Sequence, residues 1–308
     1  MRYLVVGAGA LGGYFGGRLL EAGHDVTFLL RPGRARALQA TGLVVKSRCG
    51  DLALAAPPFV LANAIGAPFD VVIVACKAYD LVETMASFAP AVGPATAILP
   101  LLNGLRHLDE LKQRFGAERV LGGLCLISAT LDAAGTVQHL NDLHTLVFGE
   151  LDGTTSARVD AIRSDFASTR FDGRASGEIV LEMWEKWVFI ASAAGITCLM
   201  RATIGQIVAG GGADFGVALL DECRAIAAAN GFAPRGPAIE RARAMLTAAG
   251  SPISASMLKD IERGGAVEAD HVLGDLIARD PRQPQGVSLL RVAYAHLKAY
   301  ETRRAATS

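Results

Sequence analysis

The sequence has no excess of charge of either sign, because 30 lysines and arginines balance 30 aspartates and glutamates. Nucleic-acid-binding proteins usually show a basic excess or a basic stripe, so no nucleic-acid partner is expected. The sequence also lacks a run of about eighteen apolar residues free of charge and glycine, which argues against a transmembrane helix. Its start is strand-like and shows no signal-peptide cleavage pattern. These absences predict a cytoplasmic protein that binds neither nucleic acid nor membrane.

Cysteine pairs at metal-binding or redox spacing are also missing. The five cysteines are odd in number, lie far apart and form no CxxC pair, so we expect reduced thiols rather than disulfides or metal ligands. They are Cys49, Cys76, Cys125, Cys198 and Cys223. The histidines lack ligand spacing too, and His139 and His144, close together in a probable strand region, are expected to be solvated or in the core. No metal site is predicted.

The first half of the chain alternates apolar strands with helical patterns, which predicts a parallel sheet wrapped by helices. The predicted strands are Arg2–Val6, Asp25–Leu30, Val71–Ala75, Ala97–Leu101 and Val120–Leu121. The predicted helices are Leu11–Ala22, Arg34–Ala40, Leu81–Phe88 and Arg106–Phe115. From Leu124 to Phe148 the pattern favours antiparallel strands that extend this sheet.

The second half reads as helices alone. They are predicted at Met183–Ala194, Asp214–Asn230, Ile239–Ala249, Asp270–Ala278 and Val287–Thr302. The boundary is expected in the turn-rich Phe171–Ser176, which gives domains at 1–174 and 175–308. The predicted fold class is therefore α/β: a Rossmann-like doubly wound sheet, then an all-helical C-terminal domain, with a cleft between them.

A glycine-rich segment lies between the first strand and the first helix. It reads Gly7-Ala8-Gly9-Ala10-Leu11-Gly12. A lone GxGxxG is a weak signal, but the strand before it and the helix after it match a dinucleotide-binding turn. The first glycine allows the tight turn, the second lets the backbone approach a pyrophosphate, and the third lets helix and strand pack closely. Free N–H groups at the helix start then face the phosphates.

The end of the second strand distinguishes the two nicotinamide cofactors. NAD enzymes usually carry a carboxylate there for the ribose 2′-hydroxyl, whereas this chain has Arg31. Its guanidinium matches a 2′-phosphate, and we expect no carboxylate to compete for it. NADP is thus favoured over NAD. Arg34 and Arg36 could assist Arg31, although a solvated helix residue is the simpler interpretation of each.

Lys186 stands in a strongly apolar helical stretch. From the pattern alone, a snorkelling surface lysine is the simpler interpretation, and Glu182 or Glu185 could pair with it. Reduction of a ketone, however, needs a group that protonates or stabilises the carbonyl oxygen as charge develops there. A lysine ammonium can do this.

Several motifs together carry a resemblance that runs nearly end to end. Beside the glycine-rich turn with Arg31, they are Val74-Ala75-Cys76-Lys77-Ala78, Asn103-Gly104, Trp184-x-Lys186, Ser256-Met257-Leu258-Lys259-Asp260 and Glu268-Ala269-Asp270. With them the chain resembles the ketopantoate reductase (2-dehydropantoate 2-reductase) family, whose fold is like that of 6-phosphogluconate dehydrogenase. The resemblance implies an NADPH-dependent oxidoreductase of pantothenate biosynthesis, in a family that often forms homodimers.

The resemblance also implies a role for each matching residue. Lys186 would stabilise and protonate the alkoxide, while Glu268 would bind a substrate hydroxyl or the cofactor ribose and orient the lysine. Asn103 would lie beside the nicotinamide ribose and substrate, Ser256 would hold the substrate carboxylate, and Lys77 would belong to the cofactor site. The implied reaction converts a 2-oxo acid to a 2-hydroxy acid, ketopantoate to pantoate or a close analogue. A non-catalytic NADP-binding regulator is the alternative from another class.

The chain departs from the family at two positions. Four and eight residues after its lysine the family has asparagines on the same helical face, where this chain has Ile190 and Ala194. Two substrate-binding amides are thus replaced by an apolar surface, which discriminates less strongly. A different, more apolar 2-oxo acid is therefore a second candidate substrate. Ser192, Thr197 and Arg201 are nearby polar residues that could recognise it.

Overall fold

The structure, a computed structural model, describes residues 1–282 and 287–307. The chain forms two compact units, one of Met1–Leu102 with His107–Val180 and one of Asn103–Arg106 with Leu181–Ser308. The predicted domain 175–308 includes positions 283–286 and 308, which lie outside the described residues. A short segment from the first half of the chain is thus part of the second unit.

Before Ile179, strands and helices alternate along the first part of the chain, and strands predominate in the later part. The strands are Arg2–Val6 (β1), Asp25–Leu29 (β2), Leu43–Lys46 (β3), Leu52–Leu54 (β4), Phe59–Val60 (β5), Val71–Val74 (β6), Ala97–Pro100 (β7), Leu121–Leu131 (β8), Val137–Glu150 (β9) and Asp172–Ala175 (β10). The helices are Ala10–Glu21 (α1), Pro32–Thr41 (α2), Leu81–Phe88 (α3), Arg106–Phe115 (α4) and Ala157–Phe166 (α5), with 3-10 turns at Ala62–Ala64, Ala78–Asp80, Ala89–Ala91 and Ala117–Arg119. The short strands β3, β4 and β5 were not predicted.

The first sheet is parallel and has the order β5-β2-β1-β6-β7. Every residue of β6 and β7 is buried, as expected of parallel strands covered on both faces. The order reverses beside β1, the strand that leads into the glycine-rich turn, and ligands of such sheets bind where the order reverses. The predicted α/β class with a doubly wound sheet is confirmed.

The strands after α4 form a second sheet, so the predicted extension of the first sheet is wrong. β8 and β9 pair antiparallel along most of their length, and β9 also carries β3 and β10 as parallel neighbours. A single bridge, between Ile98 and Val120, links β8 to the first sheet. The physical reason is that Leu146 and Phe148 of β9 pack with Tyr14 and Phe15 in one core, which draws the hairpin to α1.

Helix α1 packs against both sheets because glycines line it. A Cβ at Gly16 would lie 2.7 Å from Cε1 of Phe28 in β2. A Cβ at Gly13 would lie 3.0 Å from Cγ2 of Val137 in β9. Any larger residue at Gly16 would push the helix away from the first sheet, so the sandwich of sheet, helix and sheet depends on these two small residues.

The segment Phe171–Ser176 is not the loop that its turn-rich composition suggested. It contains β10, which runs parallel to β9 with Asp172 opposite Thr145, and the Thr145 hydroxyl donates to the Asp172 carboxylate over 3.2 Å. Gly173 lies against the ring of Phe166, where a Cβ would find no room. Pairing with a neighbouring strand has overridden the local preference for a turn.

From Ile179 onward the described residues form helices and turns without a strand. The helices are Ile179–Met200 (α6), Ile204–Ala209 (α7), Ala213–Ala229 (α8), Gly236–Leu246 (α9), Ser256–Glu262 (α10), Asp275–Ala278 (α11) and Leu289–Thr307 (α12). The predicted all-helical second part is confirmed, but Asp270–Ala278 is not one α-helix. Its first half, Asp270–Gly274, is a π turn. No helix in the described part of the chain is long and apolar enough to span a bilayer.

His139 and His144 lie on β9 beside α1 in a partly buried polar cluster. Nδ1 of His144 is 2.8 Å from the hydroxyl of Tyr14, and Nδ1 of His139 is 2.8 Å from the hydroxyl of Ser47. The two imidazole rings stack with centroids 5.9 Å apart. Arg18, fully buried on α1, places its guanidinium over the Tyr14 ring. Burial, then His139 and Arg18, lower the pKa of His144 from 6.5, against an opposing effect of Asp172.

This cluster predicts a loss of stability in acid. Between the lowered pKa and 6.5 the unfolded chain binds more protons at His144 than the folded chain does. The contribution of His144 to the free energy of unfolding is therefore fully present above pH 6.5. It is lost as the pH drops through the folded-state pKa. His144→Gln keeps a polar partner for Tyr14 but cannot titrate, so urea denaturation should show a smaller loss between about pH 7.5 and 5.5.

The control is His24→Gln. His24 is a histidine of the same unit that contacts Ser168 and Asp165 instead of Tyr14, and the smaller loss is expected in His144→Gln only. An unchanged pH slope in His144→Gln would contradict the prediction.

Candidate functional site

The glycine-rich turn has the geometry that its spacing predicted. Gly7 follows β1 with φ +92°, a left-handed conformation that favours glycine, and its N–H donates to the Leu29 carbonyl over 3.0 Å. A Cβ at Gly12 would collide with the carbonyl oxygen of Gly7, so helix and turn touch there. Gly9 is the N-cap of α1 and carries no side-chain cap, and no described protein atom lies within 4 Å of its missing Cβ.

The remaining residues of the glycine-rich turn are Ala8, Ala10 and Leu11. Ala8 is buried, and Ala10 and Leu11 open the first turn of α1 half-buried. The first N–H groups of a helix have no partner within it, and a negatively charged phosphate is their common ligand. The space at Gly9 and the uncapped helix start therefore fit a dinucleotide pyrophosphate.

Arg31 is the N-cap of α2 at the end of β2, and its side chain is 60% exposed. Contrary to the expectation that no carboxylate competes for it, its Nη2 lies 3.0 Å from Oε2 of Glu83 and 3.3 Å from Oδ1 of Asp80. Both carboxylates belong to the segment after β6. The sequence around β2 therefore could not predict their contact with Arg31. Exposed ion pairs contribute little, about 0–1 kcal/mol, so the guanidinium remains available to an anion.

Lys77 is the first residue of the segment that contains Asp80 and Glu83. It is half-buried just after β6, as the N-cap of the 3-10 turn Ala78–Asp80, and its carbonyl accepts the Asp80 N–H over 3.0 Å. Lys77 and Arg31 are therefore connected through Asp80, at the carboxyl ends of two strands of the parallel sheet. The structure brings these two predicted cofactor residues to the same edge.

Arg34 is a structural residue and not a solvated one. Its Nε donates to the Ala8 carbonyl over 3.0 Å and its Nη2 to the Gly135 carbonyl over 3.2 Å. Burial lowers its pKa. Arg34 thus connects the glycine-rich turn to the β8–β9 hairpin, a contact between distant segments that no local pattern could show.

Lys186 lies half-buried in the second turn of α6, with the buried Trp187 and Val188 directly after it. Glu185, considered above as its partner, instead holds Arg235, with 2.6 Å between Oε2 and Nη2. Residues four and eight positions further share the Lys186 face of the helix. They are Ile190, which is half-buried, and Ala194, which is 3% exposed, so an apolar surface adjoins the lysine.

Glu268 and Asn103 are both connected to the π turn Asp270–Gly274. The Glu268 side chain is buried, and its carbonyl accepts the Val272 N–H over 2.9 Å. Gly104, directly after Asn103, has φ +76°, and a Cβ there would lie 3.0 Å from the His271 carbonyl oxygen. On the other side, the indole Nε1 of Trp187 donates to the Val272 carbonyl over 2.8 Å. The segments of three predicted site residues thus meet at this turn.

Ser256 is the exposed first residue of α10. The helix N-cap is Ala255, which has no side-chain cap, so Ser256 does not cap this helix. The Ala255 N–H donates to Oγ1 of Thr197, 3.3 Å away, on the Lys186 face of α6. This bond fixes the start of α10 to α6.

The polar candidates near Ala194 have hydrogen-bond partners within the protein. The fully buried hydroxyls of Ser192 and Thr197 donate to the carbonyls of Val188 and Ala193 over 2.7 and 2.6 Å. Arg201 ends α6 in a left-handed conformation with φ 52°, and its Nε is 3.5 Å from the His296 ring. Substrate recognition by Ser192 and Thr197 is therefore not supported. In the described part of the chain, no cluster of three or more His, Cys, Asp or Glu residues could hold a metal.

Known proteins match the chain over most of its length. The family model "Ketopantoate reductase PanE/ApbA" matches residues 3–153, and "Ketopantoate reductase PanE/ApbA C terminal" matches residues 178–301. The curated relative "Uncharacterized oxidoreductase YkpB" of Bacillus subtilis (strain 168) is 39% identical over 306 residues, which are 99% of this chain and 100% of that protein.

Solved structures agree. A crystal structure of 2-dehydropantoate 2-reductase from Geobacter metallireducens GS-15 has a TM-score of 0.88 at 28% identity and covers 97% of this chain and 99% of that chain. The ternary structure of D-mandelate dehydrogenase with NADH and anilino(oxo)acetate has the same TM-score at 18% identity over 99% of both chains, which is a likeness of fold alone. The resemblance drawn from the motifs is confirmed: the chain belongs to the ketopantoate reductase PanE/ApbA family and is an oxidoreductase that acts on CH–OH groups.

Proposed function

We propose that this enzyme reduces a 2-oxo acid to the 2-hydroxy acid with NADPH, using Lys186 as the acid. The observation that carries the proposal is the bond from Trp187, the next residue, to Val272 in the π turn that Glu268 precedes. This bond connects the helix that carries the half-buried Lys186 to the segment that carries the buried Glu268. The dinucleotide is assigned to residues 1–174 and the substrate chemistry to residues 175–308. Because the chain belongs to a family of oxidoreductases, we do not pursue the alternative of a non-catalytic NADP-binding regulator.

The chain's residues divide the work of the reaction. When bound, NADPH supplies a hydride from its C4 to the carbonyl carbon of the substrate. The Lys186 ammonium stabilises the alkoxide as its charge develops and gives it a proton, which completes the hydroxyl. Glu268 orients the lysine and accepts a hydrogen bond from a substrate hydroxyl or the ribose. Ser256 holds the substrate carboxylate, and Asn103 positions the reacting groups.

Binding of the dinucleotide is assigned to the glycine-rich turn together with Arg31 and Lys77. The open space at Gly9 and the uncapped start of α1 support the pyrophosphate position. The guanidinium at the end of β2 supports a 2′-phosphate, because a carboxylate for a free ribose hydroxyl is absent from that strand end. NADP is therefore the proposed cofactor. The five free thiols suit a reducing, cytoplasmic compartment.

Two substrates remain candidates. Ketopantoate follows from the family and would place the enzyme in pantothenate biosynthesis. A more apolar 2-oxo acid follows from Ile190 and the buried Ala194, which replace two amides by hydrocarbon beside the lysine. Because Ser192 and Thr197 donate to carbonyls of their own helix, they do not compensate for the missing amides. We therefore favour the more apolar substrate.

The cofactor assignment predicts opposite effects at Arg31 and at its carboxylate partners. Arg31→Ala should weaken NADPH binding at least about tenfold and leave NADH binding nearly unchanged, since charge-assisted hydrogen bonds contribute about 1.5–3 kcal/mol. Asp80→Asn with Glu83→Gln frees the guanidinium and removes two negative charges. That variant should tighten NADPH binding about two- to fivefold, in line with weak surface pairs. Equal loss of both cofactors in Arg31→Ala, by fluorescence titration, would refute the assignment.

The catalytic assignment predicts that Lys186→Ala loses turnover while keeping its cofactor. A positioned acid contributes about a hundredfold or more, so kcat should fall by at least that factor. The dissociation constant of NADPH should stay within about twofold, because the assigned cofactor residues are unchanged. Lys259→Ala, a lysine in the last turn of α10, is the matched control. Normal turnover of Lys186→Ala on the best substrate would show that this lysine is not the acid.

The apolar face predicts poor reduction of ketopantoate. In assays of NADPH oxidation, a 2-oxo acid with a larger apolar group should give the higher kcat/KM. Ile190→Asn with Ala194→Asn should raise the relative activity on ketopantoate. An unpartnered buried amide costs about 1–3 kcal/mol, so the melting temperature must be measured alongside. The expectation fails if the unmodified enzyme prefers ketopantoate to every larger oxo acid.

A further inference from the structure

The π turn Asp270–Gly274 interrupts a stretch whose sequence predicts an ordinary α-helix. The Asp275 N–H donates to the Asp270 carbonyl, five residues back, instead of four. A π turn holds one extra residue, is rare, and is found frequently at functional sites. Such a turn needs an interaction from outside the helix to hold it, because the same residues could close an α turn.

Trp187 provides that interaction from the helix of Lys186. It is the largest fully buried side chain of the described residues, and its Nε1 lies 2.8 Å from the Val272 carbonyl oxygen, in the middle of the π turn. The ring of Trp184, at 5.0 Å, and the guanidinium of Arg279, at 5.9 Å, are neighbours of the indole ring. A hydrogen bond in this buried setting is directional, and losing it would leave the Val272 carbonyl without this donor.

The π turn is held from two further directions. Asp270 accepts the Tyr294 hydroxyl over 2.6 Å and pairs with the Lys298 ammonium at 2.9 Å, which connects the turn to α12. On the opposite side, the Gly104 backbone packs against the His271 carbonyl. A change in the helical register of this turn would therefore move Glu268, which precedes it, and Gly104, which directly follows Asn103.

We propose that Trp187 is a positioning residue: its indole N–H holds the π turn in the register that aligns Glu268 and Asn103 with Lys186. The proposal rests on the function proposed above, in which these three residues act on the substrate. The indole does not touch the reacting atoms and acts through Val272. Its loss should therefore affect the rate of the chemical step more than substrate or cofactor binding.

The test compares Trp187→Phe with Trp184→Phe. Both remove a buried indole from adjacent turns of α6, but Trp184 stacks on Phe232 and only Trp187 donates to Val272. Trp187→Phe should lower kcat about tenfold with KM and the NADPH dissociation constant within about twofold. Trp184→Phe should lower the melting temperature comparably while its kcat stays within about twofold. Equal kcat in the two variants would overturn the proposal.

A second measurement covers the case in which Trp187→Phe does not fold. The chain has 2 tryptophans, so in the Trp184→Phe background Trp187 is the only one. Biosynthetic replacement of tryptophan by benzothienylalanine then exchanges the indole N–H for sulfur and keeps the ring shape. The same fall in kcat is expected, and an unchanged kcat would overturn the proposal.

Lys186→Ala, assayed in parallel, separates the two possible failures. If it turns over normally, the proposed function falls and this inference with it. If it is inactive while the Trp187 variants match Trp184→Phe, the positioning role alone is wrong.

Discussion

The close packing of helix α1 is the constraint on which the first unit depends. The helix starts at the glycine-rich turn, touches the Gly7 carbonyl through Gly12, and packs on one sheet at Gly16 and on the other at Gly13. Side chains at these positions would separate the helix from its neighbours, and each separation would also shift the uncapped helix start. The proposed pyrophosphate site is thus a consequence of the same packing that assembles the core. Arg34 completes it by joining the turn to the β8–β9 hairpin.

In the second unit, α6 has the corresponding central position. Its Lys186 face carries the proposed acid, the apolar residues Ile190 and Ala194, and Thr197, whose hydroxyl accepts the N–H of Ala255, the N-cap of α10. Its buried face carries Trp187, whose indole reaches the π turn. One helix therefore connects the segments of Ser256, Glu268 and Lys186. In the proposed function, substrate choice depends on the side chains beside the lysine, such as Ile190 and Ala194.

Local patterns sufficed for much of the fold and for the glycine-rich turn, because strand periodicity and glycine spacing are properties of neighbouring residues. They failed where distant segments meet. The pairing of β10 with β9, the carboxylates of Asp80 and Glu83 on Arg31, and the two carbonyls bound by Arg34 all join residues far apart in sequence. The π turn was missed for the same reason, since its residues are compatible with an α-helix and the bond from Trp187 decides between the two. The catalytic assignments came from a family resemblance, because Lys186 alone looks like a surface lysine.

The central claim is a hydride transfer from the nicotinamide to the carbonyl carbon of a 2-oxo acid. The most direct measurement uses NADPH labelled with deuterium at C4, on either face in separate reactions, with the oxo acid that the enzyme reduces best. The account predicts one deuterium at C2 of the 2-hydroxy acid from one of the two labelled cofactors, seen by mass spectrometry and NMR, and formation of this product at least about a hundredfold more slowly in Lys186→Ala. A 2-hydroxy acid without deuterium from either label, or no reduction of any 2-oxo acid, would contradict it.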